Sequence, residues 1–140
     1  MSTSTGNIQR VDDYLAIDHN INAWSDDSCF VAAAMLDELS AGVWTDLAAL
    51  VGHRPADWII RLLESSSSAG QRAERAVPLA VSLLFSSDPK VAQSAAETLE
   101  GMDDIYAPDE SVLPRLKEIA DSLSPSERAV VDRLMARAPA

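Results

Sequence analysis

Few side chains in this 140-residue chain belong to types that perform covalent or metal chemistry: one cysteine, Cys29, and two histidines, His19 and His53. A nucleophile needs a base within hydrogen-bond reach, and the nearest such arrangement is His19 beside Asp18. That pair falls where a helix is expected to end, and it reads as solvent-facing. His53 follows Gly52 at another expected helix end, where an imidazolium complements the negative pole of the helix dipole. Cys29 precedes Phe30 at the start of an apolar helix and reads as a small core residue. Asp103, Asp104, Asp109 and Glu110 bring carboxylates together on a segment with two possible uses, a divalent-cation site or a solvated acidic loop. No glycine turn spaces them as a calcium loop requires, so the solvated loop is the preferred reading. The chain carries no Gly-rich phosphate loop, no G-x-S-x-G, no H-E-x-x-H and no EF-hand loop, and has only five glycines. The expectation is a protein with no catalytic residue, no metal and no cofactor, and thus not an enzyme.

Charge is the more informative feature. There are 22 Asp and Glu against 11 Lys and Arg, a net charge of −11. This balance argues against unassisted binding to nucleic acid or to an anionic membrane and points to a cationic partner. The surplus is not spread evenly. Residues 1 to 53 hold one Arg and eight acids, and residues 91 to 110 hold six acids and no base, while the other two segments are nearly balanced. Trp24 stands beside Asp26 and Asp27, and Tyr106 lies between Asp103, Asp104 and Asp109, Glu110. Aromatic residues among charges match the composition of protein–protein hot spots, so these eight residues are the candidate partner-binding set. Core packing is the alternative for Trp24; Tyr106 is expected to be exposed. Asp103, Asp104, Asp109 and Glu110 alone could also serve only solubility.

The elements that must position these residues read as helices throughout. Apolar residues recur at three- and four-residue intervals, and no stretch shows sustained strand alternation or an Asn-Gly or Asp-Gly hairpin turn. The fold class is therefore all-α, with about seven to eight short antiparallel helices. Residues 1 to 7 are expected to be a flexible N-terminus and residues 8 to 138 a single helical domain. Ile8, Val11 and Leu15 begin the first stripe, and a second helix follows Ser25-Asp26-Asp27-Ser28 and should stop at Gly42. Trp44, Leu47, Ala48 and Val51 form a third stripe, with Gly52 as a left-handed cap before Pro55 opens the helix of Trp58, Ile59, Leu62 and Leu63. Ser65 to Ser68 is the expected internal loop. Pro78 should kink or start the fifth helix, Asp88-Pro89 starts the sixth, and Val112, Leu116, Ile119 and Ala120 mark the seventh. The last helix opens with the capping box Ser124-Pro125-Ser126-Glu127.

A weak repeat organises the second half. Pro78 and Pro89 are 11 residues apart, as are Pro114 and Pro125, and the two pairs are offset by 36. A period in that range, with two helices per unit, suits an α-solenoid, in which a helical pair buries its apolar face only by stacking on its neighbours. The stretch VPLAVSLLFSSDPKVAQSAAETLEGM, residues 77 to 102, resembles a HEAT-type repeat junction: an apolar helix, a Ser-Asp-Pro turn and an Ala-rich helix. A HEAT-like α-solenoid and an irregular helical bundle both fit the pattern. With its size and acidity, the chain also resembles small acidic bacterial immunity proteins of HEAT-like architecture. That resemblance implies a non-catalytic module that binds a cognate, basic toxin domain, in one form a nuclease, and blocks it by steric and electrostatic masking. A cytosolic helical-repeat adaptor or secretion chaperone is the alternative. Neither a basic-then-apolar leader nor an 18-residue apolar run is present, so a cytoplasmic protein without membrane attachment is expected, monomeric before complex formation.

Overall fold

The computed structural model describes residues 3–16, 36, 41–66, 76–102 and 105–138. These residues are helical with connecting turns, and no strand occurs among them, so the protein is all-α. The chain divides into two compact units, Met1–Ala76 and Val77–Ala140.

In the first unit, helix α1 spans Thr3–Ala16, taking in residues whose composition suggests a flexible start. Val11 and Leu15, one turn apart, are buried, whereas Gln9, Asp13 and Ala16 between and beyond them are exposed. Helix α2, Ala41–Leu50, buries Trp44 and Leu47 and tightens into a 3-10 turn over Val51–His53. Helix α3, Ala56–Ser66, follows Pro55 and buries Trp58, Ile59, Leu62 and Leu63 on a single stripe. Helix α1 packs against both α2 and α3.

Three local expectations change here. Gly42 lies inside the first turn of α2 and is not a helix stop. Gly52 is not left-handed: the chain leaves the 3-10 turn through Arg54, which is extended at φ −120° and ψ 151° with its N–H bonded to the Val51 carbonyl. Ser65 and Ser66 are helical and buried, because their hydroxyls donate back to the carbonyls of Arg61, Leu62 and Leu63. That back-bonding satisfies the serine side chains without leaving the helix. The expected second helix, apart from the buried helical Leu36, lies outside the described residues together with His19 and Cys29.

The second unit comprises α4 (Val77–Leu83), α5 (Pro89–Glu100), α6 (Leu113–Asp121) and α7 (Pro125–Met135). Pro78 sits in the first turn of α4, where its missing N–H costs no helical bond. Asp88 caps α5, its carboxylate accepting from the N–H groups of Lys90 at 2.9 Å and Val91 at 3.4 Å. Helix α5 is central: α4, α6 and α7 all pack on it. Its sequence permits this, since Ala92, Ser94, Ala95, Ala96 and Thr98 are all buried and short enough for neighbours to approach from several sides. Gln93 near the start of α5 bonds Glu127 near the start of α7, and Glu100 at its end pairs with Arg133 near the end of α7. The two helices therefore run in the same direction, and the prolines that open them are the pair offset by 36 residues.

Candidate functional site

Of the eight residues singled out by sequence, Trp24, Asp26, Asp27, Asp103 and Asp104 lie outside the described residues. Tyr106, Asp109 and Glu110 lie on the connection from α5 to α6, and the structure gives each a different task. Tyr106 is half-buried, its hydroxyl sealed from solvent with no hydrogen-bond partner among the described residues. Burial, then the nearby Asp109 carboxylate, pushes its hydroxyl above the usual tyrosine range. The expected exposed aromatic is thus turned inward, and the neighbouring Ile105 faces out at 45% exposure. A Met102 carbonyl that accepts from the N–H groups of both Ile105 and Tyr106 fixes this division.

Asp109 organises the approach to α6. Its Oδ1 accepts from the Ser111 hydroxyl at 2.6 Å and the Ser111 N–H at 3.0 Å, and its carbonyl accepts from the N–H groups of Val112 and Leu113. The Ser111 hydroxyl contributes most to holding this carboxylate below its ordinary range. Glu110, by contrast, is exposed and makes no hydrogen bond or ion pair among the described residues. Among those residues no group of three or more His, Cys, Asp and Glu side chains is placed to hold a metal ion.

The arginines show a consistent pattern that charge counting missed. Arg54 forms a fork on Asp12, with Nε to Oδ1 at 2.8 Å and Nη2 to Oδ2 at 2.5 Å, and lies over the Trp58 ring at 5.8 Å from its centroid. Arg61 donates to the Leu15 carbonyl at 2.9 Å, closing the C-terminal turn of α1. Arg115 donates to the carbonyls of Leu84 and Ser86, and Arg137 to those of Leu99 and Glu100. Arg133 bonds Glu100, and Arg128 bridges Asp121 and Asp132. Among the described residues these six guanidinium groups serve the protein's own backbone and carboxylates, while Asp46, Asp57, Glu97 and Glu110 are exposed.

Leu15, Ala16, Arg54, Pro55, Asp57, Trp58 and Arg61 line an open cleft of about 290 Å³ in the first unit. Its arginines are bonded to α1, so the cleft reads as the seam between α1 and α3. No helix among the described residues is long and apolar enough to cross a membrane. No protein family, curated protein or solved structure matches the chain.

Proposed function

We propose that this chain is a protein-binding module that masks a basic partner, and in its most concrete form an immunity protein that neutralises a cognate toxin domain. The observation that supports this reading is the inward commitment of the arginines. Among the described residues Arg54, Arg61, Arg115 and Arg137 are bonded to carbonyls or carboxylates of the chain itself, while Asp46, Asp57, Glu97 and Glu110 are exposed, in a chain of net charge −11. Such a field accelerates encounter with a cationic surface, and carboxylates then pair with its Lys and Arg side chains. Masking of this kind needs no chemical change in either partner. The parallel, 36-residue-offset pairing of α5 and α7 supports a HEAT-like repeat as its scaffold.

The test is to tag the chain in its native cell, recover what co-purifies at moderate salt and express each recovered protein alone. One stoichiometric basic protein, toxic by itself and harmless when co-expressed with this chain, is the expected result. Many substoichiometric partners would instead favour a helical-repeat adaptor or secretion chaperone, and the absence of any protein partner would remove both.

A further inference from the structure

We draw no further inference here: the strongest candidate, the open cleft between α1 and α3, carries nothing because its two arginines, Arg54 and Arg61, are bonded to Asp12 and the Leu15 carbonyl of α1 and nothing among the described residues chooses a ligand for it.

Discussion

The Glu127 carboxylate accepts from the Gln93 amide at 2.6 Å through one oxygen and from the Ser124 hydroxyl at 2.7 Å through the other, so one side chain joins a helix start to the neighbouring helix. The capping box at residues 124 to 127 is therefore rearranged: Ser124 donates to Glu127 and makes no side-chain bond to the helix backbone. The Ser124 hydroxyl first, then Gln93, hold the Glu127 carboxyl below its ordinary value of 4.5. A carboxylate favoured in the folded state contributes stability that is present above the unfolded pKa and is lost as pH falls through the folded one. Melting temperatures of wild type and Glu127→Gln should therefore differ at neutral pH and converge in acid, below about pH 4. A gap that stays constant across that range would mean the charge is not used.

The same linkage operates in the first unit through Asp12. The hydrogen bonds from Arg54, followed by their charge attraction, lower its pKa from 3.8 against an opposing desolvation effect. Asp12→Asn should destabilise the protein by about 1 kcal/mol at neutral pH, a value kept small by the solvent exposure of the pair. Urea titration at neutral pH checks the magnitude. Repeating it at successively lower pH should show the difference shrink below pH 3.8, as the pH falls through the lowered pKa of wild-type Asp12.

Two buried tryptophans should respond differently to the same change. Trp58 is 1% exposed and donates from Nε1 to the Asp12 carbonyl at 3.2 Å, with Arg54 over its ring. Trp44 is 4% exposed, yet its Nε1 is buried without a partner among the described residues. Trp58→Phe removes a made hydrogen bond, while Trp44→Phe removes a donor with no bond to any described residue. Chemical denaturation should find Trp58→Phe the more damaging by about 1 kcal/mol. Equal losses would show that ring volume alone sets the cost.

Gly52→Ala should stabilise the protein by about 0.5–1 kcal/mol, because the substitution reduces the freedom of the unfolded chain. A Cβ at this position meets nothing within 4 Å, and the backbone does not have the positive φ that would strain alanine. A thermal melt decides the sign, and a lowered melting temperature would place Gly52 in the left-handed region.

Much of the second unit was legible in the sequence because its signals are local. Asp88 and Pro89 satisfy the start of α5 with atoms within three residues, Pro125 opens α7, and the three- and four-residue apolar spacing marks the buried faces whatever they pack against. The offset of 36 residues likewise anticipated a relationship between α5 and α7, although only the Gln93–Glu127 and Glu100–Arg133 bonds establish that they run side by side in one direction. Other features depended on partners distant in the chain. Ser65 and Ser66 look like a loop until the burial of their helix end makes back-bonding to Arg61, Leu62 and Leu63 the available way to satisfy them. Composition weights Ile105 and Tyr106 alike as loop residues, and the packing of the loop decides which turns inward.

What the sequence determined by itself was the all-helical class, most of the helix starts and the surplus of 22 acids over 11 bases, since periodicity, capping and composition are carried by neighbouring residues or by counting. Where that charge acts was decided by the tertiary structure. A guanidinium has the same charge whether it faces solvent or grips a carbonyl, and only the approach of Leu15, Leu84, Ser86 and Leu99 turned Arg61, Arg115 and Arg137 inward. The turn at Phe85 is likewise tied by a distant residue: Arg115 bonds the carbonyls of Leu84 and Ser86 on either side of this exposed ring.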